Sequence, residues 1–168
     1  MSEATDKLIS DFAAGPEKLR QSMRGLSQHD VQRVPPADAG AEIGKWSIQE
    51  VVLHLADAEA AFVDRIKRLI AEDSPTLLEW SENRFAERLF YNEQSADDAL
   101  TLIELLRKQM IKVLRNLPDS AFDRAGTHSS RGRQTLAEVM GYDIWHIDHH
   151  CKFIDAKRKL YQMQKAEG

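Results

Sequence analysis

The chain has a single cysteine, Cys151, among its 168 residues. One thiol cannot form an intramolecular disulfide, which suits a reducing compartment. No apolar run approaches the ~18 residues of a membrane span. The N-terminus, MSEATDKLISDF, lacks the basic and apolar regions of a signal peptide. The expected location is therefore the cytoplasm. Basic charge is not in excess either: Lys and Arg number 23 against 27 Asp and Glu, giving a net charge of −4 and a pI near 5.9. A nucleic-acid partner needs a basic surface, and a membrane partner needs an anchor; neither is expected. Strand signals, internal repeats and low-complexity tracts are also lacking.

What remains is a globular composition, 42% hydrophobic and 30% charged, of a size that suits one domain over residues 1–168. Four stretches carry helical periodicity. Over 3–25, Leu8, Ile9, Phe12, Leu19, Met23 and Leu26 recur at that spacing, with Gly15-Pro16 predicting a kink. Residues 27–45, with Pro35-Pro36, Gly40 and Gly44, read as a loop. Ser47-Ile48-Gln49-Glu50 is a capping box opening a helix over 48–71. Residues 73–94 have no clear period and form a long connection, with a helical turn expected around 81–89. Ser95 caps a third helix over 96–116, and Pro118 follows its end. A polar loop over 118–134 leads to a second capping box, Thr135 to Glu138, and a fourth helix over 136–159. Four amphipathic helices without strands predict an all-α four-helix bundle.

Three of the six histidines fall within five residues, in Trp145-His146-Ile147-Asp148-His149-His150. On a helix His146 and His150 share one face about 6 Å apart, the spacing at which two imidazoles reach one metal ion. Helix phase puts both near the buried arc and turns His149 toward the rim. A third ligand is needed. His54 is the candidate: it stands on the shoulder of the second helix's apolar arc beside the small Ala58. His54 lies about 10 Å along its helix, and His146 and His150 are 10 to 13 residues before the expected end of theirs. All three reach one level if these helices run antiparallel. With the long crossover, that gives an up-down-down-up order. This places the 27–46 loop, Phe90 to Gln94 and the C-terminal tail at the site's end of the bundle. Arg131 to Thr135 fall at the other end, so Arg131 and Arg133 are not expected to touch substrate.

The chain resembles the DinB/YfiT-like superfamily of metal-binding four-helix bundles. The pieces that carry the resemblance are Ala14 to Leu19, Gly25-Leu26-Ser27, Lys45-Trp46-Ser47 through His54-Leu55-Ala56-Asp57, Leu106-Arg107, His128 to Gly132, Thr135-Leu136, and His146-Ile147-Asp148-His149-His150 with Ile154. They span nearly the whole chain in order. Lys152-Phe153-Ile154 departs from the Gln-Ile that follows the late histidines in typical relatives. The resemblance implies an up-down-down-up bundle with a divalent metal on His54, His146 and His150. For activity it implies either a thiol-dependent transferase or isomerase using bacillithiol, mycothiol or glutathione, or a metal-dependent hydrolase. The DinB label carries no implication of DNA binding.

Three imidazoles leave an open position, as in catalytic sites. Zn²⁺ or Ni²⁺ suits them best, and Fe²⁺ or Mn²⁺ is compatible with imidazole. The open position can take water activated as hydroxide, which makes a hydrolase, or a low-molecular-weight thiol, which makes an S-transferase. The leading expectation is the thiol-dependent S-transferase acting on a small-molecule substrate in a groove under the 27–46 loop and the crossover. The alternatives are the hydrolase and a non-catalytic metal- or ligand-binding module used in stress response. Asp143 and Asp57, three residues from His146 and His54, are candidates to orient the imidazoles. Tyr142 is a candidate for the mouth of the site, and Trp46 for a staple before the Ser47 cap. Trp145 is expected to be exposed, as at a homodimer interface. Cys151 is expected to be a buried, unreactive thiol, His29 and His128 inert loop residues, and Lys157-Arg158-Lys159 a helix-end charge run.

Overall fold

The computed structural model describes residues 1–166. Four helices form the bundle: α1 (Glu3–Met23), α3 (Ile48–Ala71), α5 (Ala96–Leu114) and α6 (Leu136–Ala166). Two short helices, α2 (Gln28–Gln32) and α4 (Glu82–Arg88), lie in the connections. The start signals act as the sequence implied. The Ser47 hydroxyl accepts the Glu50 amide while the Glu50 carboxylate takes the Ser47 N–H, and Thr135 and Glu138 repeat the pattern ahead of α6. Each pair satisfies amide groups that a helix start leaves without partners. Ser27 and Asp30 form a third box, which opens α2 inside the expected loop.

Side-chain pairs fix the directions. Lys18 meets Asp148 at 2.7 Å, and Arg158 further along α6 donates to the Gln21 and Ser22 carbonyls, so α1 and α6 run parallel. Arg20 of α1 meets Glu104 while Phe12 meets Arg107, so α1 and α5 are antiparallel. His54 faces His146 and His150 while Phe62 faces Tyr142, so α3 and α6 are antiparallel. This is the up-down-down-up order, with the crossover between α3 and α5 permitting parallel neighbours.

The apolar interior falls into two clusters. One joins Leu19 to the first half of α3, Ile103 and Ile154; the other joins Ile9 and Phe12 to the second half of α3, Met110 and Met140. A polar layer lies between them, centred on Arg107. Its Nε donates to Glu59 of α3 at 2.8 Å, its Nη2 to Asp143 of α6 at 2.8 Å, and its Nη1 to the Phe12 carbonyl of α1 at 2.7 Å. One guanidinium on α5 thus ties all four bundle helices. The Phe12 bond has a local cause. Pro16 has no N–H to give the carbonyl four residues earlier, which is that of Phe12. A Cβ on Gly15 would collide with Arg107 Nη1, so the glycine makes room for the donor that takes the proline's place.

The structure departs from the sequence reading at the 118–134 segment and in the crossover. Thr76–Leu77 (β1), Ala125–His128 (β2) and Gly132–Thr135 (β3) form a small sheet, ordered β1-β2-β3. β1 pairs parallel with β2, Leu77 opposite His128, and β2 pairs antiparallel with β3, His128 opposite Gly132. Strands of two to four mostly polar residues carry no alternation to read. The Lys157 run also departs from expectation. Lys157 is buried and donates to the Ile43 carbonyl, while Arg158 donates to the Gln21 and Ser22 carbonyls at the end of α1. No helix among the described residues is long and apolar enough to cross a membrane.

Candidate metal centre

Beside the polar layer α3 and α6 bring three imidazoles together. His54 Nε2 and His146 Nε2 are 3.1 Å apart, and one ligand atom from each of His54, His146 and His150 lies within 4.8 Å of the others. The ring centroids are 4.6 to 5.0 Å apart and the planes steeply inclined. Nitrogens about 2.0–2.1 Å from a tetrahedral ion are separated by roughly 3.3 Å. His54 and His146 are at that distance, and the set with His150 spans up to 4.8 Å, so His150 must close in for all three to hold one ion.

The electrostatics match this donor set. Burial lowers the pKa of each imidazole to about 3; the second cause is a neighbouring histidine, His150 for His54, His54 for His146 and His146 for His150. All three are neutral at physiological pH, with lone pairs free to ligate. The aromatic wall explains the burial. Trp46 and Trp80 flank His54, with ring centroids 5.1 and 5.5 Å away. Phe62 and Tyr142 pack on His146 and Phe153 on His150. The Nδ1 atoms of all three histidines are buried without a hydrogen-bond partner. That is a costly arrangement for three uncharged polar rings. It leaves their orientation to aromatic packing.

The carboxylates expected to orient the rings are engaged elsewhere. Asp143 accepts from Arg107 in the polar layer, and Asp57 accepts the Tyr91 hydroxyl of the crossover. His149 is half-exposed, stacked on the exposed Trp145 at 4.8 Å, and outside the cluster. Cys151 is buried, its thiol pushed up to about 11 mainly by burial. His29 is exposed.

A cavity of about 380 Å³ opens beside His54 and His146. Its walls are not the ones the sequence suggested. The crossover contributes Glu79 to Glu82 rather than Phe90 to Gln94, and the 27–46 loop contributes none of the lining. The β2–β3 hairpin contributes His128 and Arg131. The expectation that Arg131 stands at the far end of the bundle, and His128 idle in a loop, is therefore corrected. A four-residue strand rises about 13 Å, and the hairpin folds back along α6 instead of projecting beyond it. Its Arg131 reaches Tyr142, two turns into that helix, donating to the hydroxyl at 3.2 Å. His128 is buried, its Nδ1 accepting the Ser130 amide. At the mouth the exposed Glu82 carboxylate lies 3.9 Å from His54 Nε2. Nothing in the local sequence marks Glu82 or Arg131, because only the irregular crossover and the hairpin bring them to the site.

The DinB superfamily model matches residues 11–154. The chain belongs to the DinB superfamily. A Bacillus mycoides protein named "Putative metal-dependent hydrolase" is 26% identical over 157 residues, covering 94% of this chain and 87% of its own. A Bacillus cereus protein of the same name is 27% identical over the same shares. Among solved structures, Bacillus subtilis YfiT, described as a probable metal-dependent hydrolase with an unusual four-helix bundle topology, superposes with a TM-score of 0.82. It is 24% identical, with 95% of this chain and 90% of that one covered, and shows the shared fold. Within this DinB-like fold, His54 on α3 and His146 and His150 on α6 form a three-histidine group able to hold a metal ion.

Proposed function

We propose that this DinB-like chain is a divalent-metal-dependent hydrolase acting on a small molecule, with His54, His146 and His150 as the protein ligands. The observation that carries the reading is the convergence of three neutral imidazoles, His54 and His146 buried on the wall of an open cavity and the part-buried His150 behind them. A bound divalent cation with three imidazole ligands supplies Lewis acidity and acidifies water at its open position. Zinc and nickel suit the ligand set, and iron or manganese is compatible with it.

The chain's own groups have definable parts. Trp46, Trp80 and Phe62 keep bulk water from the imidazoles and lower the local dielectric, which strengthens every charge interaction inside. The Glu82 carboxylate, exposed at the mouth and near His54, is placed to take a proton from a nucleophilic water and return it to the leaving group. The names of the relatives support hydrolysis, and so does this carboxylate.

Thiol transfer, the leading expectation from sequence, is the second reading. The buried Cys151 supplies no thiol to the cavity, so the transfer would need a low-molecular-weight thiol from solution. A single panel separates the two. Zinc- and nickel-loaded protein is assayed on esters and amides without thiol, then with glutathione and bacillithiol on monochlorobimane. Turnover on the first set, lost in His150→Ala, is expected. Absence of any rate above metal-free protein refutes hydrolysis, and a rate seen only with added thiol moves the assignment to transfer.

A further inference from the structure

The cavity that His54 and His146 line also carries two arginines that no carboxylate among the described residues bridges. Arg65 of α3 is buried, and its guanidinium is held by the Leu78 carbonyl at 2.6 Å and lies 5.4 Å from the Phe62 ring centre. Arg131 is held by Tyr142 alone, over the ring at 4.2 Å and against its hydroxyl. Both line the cavity; burial lowers the pKa of Arg65 and of His128, and the charge of Arg131 on Arg65, and of both arginines on His128, adds to it. Among the described residues neither arginine forms an ion pair. The other buried arginine, Arg107, is neutralised by two carboxylates, and the exposed Arg20 and Arg68 are also paired. Asp64, bridged to Arg68, acts on Arg65 at a distance, and Glu79 acts on Arg65 and His128, neither bridging to them.

Arg65 is a buried charge with fork donors left over, a state that favours a counter-anion, and the exposed Arg131 brings a second guanidinium to the same cavity. Two oxygens of a carboxylate or a phosphate match the fork geometry of a guanidinium. We infer that the Arg65–Arg131 pair is the specificity subsite of this cavity, and that the substrate carries an oxyanion group, carboxylate or phosphate, bound there while its reacting centre faces His54 and His146. This deepens the hydrolase reading and rests on it for the word substrate; the anion site itself rests only on the two arginines and the cavity.

The test is equilibrium binding. Full-length, EDTA-treated protein is titrated calorimetrically at fixed ionic strength with inorganic phosphate and, separately, with benzoate. Saturable binding of one equivalent of at least one anion is expected, and the tighter arm identifies the oxyanion class. Arg131→Gln should weaken it at least about tenfold, the loss of one charge-assisted contact. Arg133→Gln, on the same hairpin but outside the cavity, should leave it unchanged. Arg65→Lys, which keeps the charge but not the fork, should weaken it with the unfolding midpoint retained. The inference is overturned if wild type binds neither anion, if Arg131→Gln binds as wild type does, or if Arg133→Gln loses as much. Zinc affinity measured against a chromogenic chelator is the independent arm. Failure to bind zinc refutes the metal reading and leaves the anion result to stand or fall on its own.

Discussion

Replacing Arg107 with leucine removes the one group that joins all four bundle helices. It leaves the Glu59 and Asp143 carboxylates buried without a counter-charge and the Phe12 carbonyl without a donor. Removing one partner of a buried ion pair costs about 3–5 kcal/mol, and an orphaned buried carbonyl adds about 1–3. A domain stable by roughly 5–15 kcal/mol is brought close to unfolding. The loss has a pH signature. Burial raises both carboxyls above their ordinary values and Asp143 adds to the shift on Glu59, while Arg107 pulls both back, so its loss raises them further. Without Arg107 the folded state must take up protons to keep them neutral. For a carboxyl whose folded pKa is raised, stability is fully present below the unfolded value and lost as pH rises toward the folded one. The penalty should therefore grow by up to about 1.4 kcal/mol per pH unit per proton between pH 5 and pH 8. Urea unfolding of wild type and Arg107→Leu at pH 5, 6, 7 and 8 reads it directly. The triple variant Arg107→Leu, Glu59→Leu, Asp143→Leu should recover most of the loss and the pH dependence, since apolar replacement of a whole buried ionic group is often neutral or better. A single-variant loss under about 1 kcal/mol, or one equal at pH 5 and pH 8, refutes the account of this layer.

Three other outcomes follow from the same contacts. Gly15→Ala drives a methyl into the Arg107 guanidinium and Ile147 and should cost about 1–3 kcal/mol in urea unfolding; a neutral result would mean the guanidinium can move aside. His150→Ala should retain the fold by circular dichroism yet lose at least about a hundredfold in zinc affinity, and the zinc-dependent rise in melting temperature should vanish with it; at a hundred times its Kd the ion adds about 2.7 kcal/mol to the wild type only. Cys151, buried with its thiol pushed up to about 11, should react with a thiol-specific disulfide reagent at pH 8 only as fast as the protein opens; immediate labelling of native protein would contradict its burial.

The bundle and the three histidines could be read from the sequence because helical phase carries that information. Capping boxes at Ser47 and Thr135 mark where two helices start, and from those starts the arc and level of His54, His146 and His150 follow. The cavity's other wall could not be read, because Arg131 and Glu82 reach it through a hairpin and an irregular crossover whose paths no periodicity encodes. The polar layer is an intermediate case. A proline within α1 strips the Phe12 carbonyl of its amide partner, a glycine beside it opens space, and an arginine occupies a position that periodicity assigns to the apolar face of α5, between Ile103 and Met110. Each sign alone has an ordinary explanation: a kink, a small residue, a charge on a helix shoulder. Taken together they require a buried acceptor on one helix and a long donor on another, and the remaining donors of that arginine then require carboxylates on the other two. Glu59 and Asp143 lie on the inward faces of α3 and α6. The pairing is thus dictated by hydrogen-bond satisfaction rather than by hydrophobic pattern, and a search for apolar stripes passes over it because every residue involved registers as a defect in its own helix.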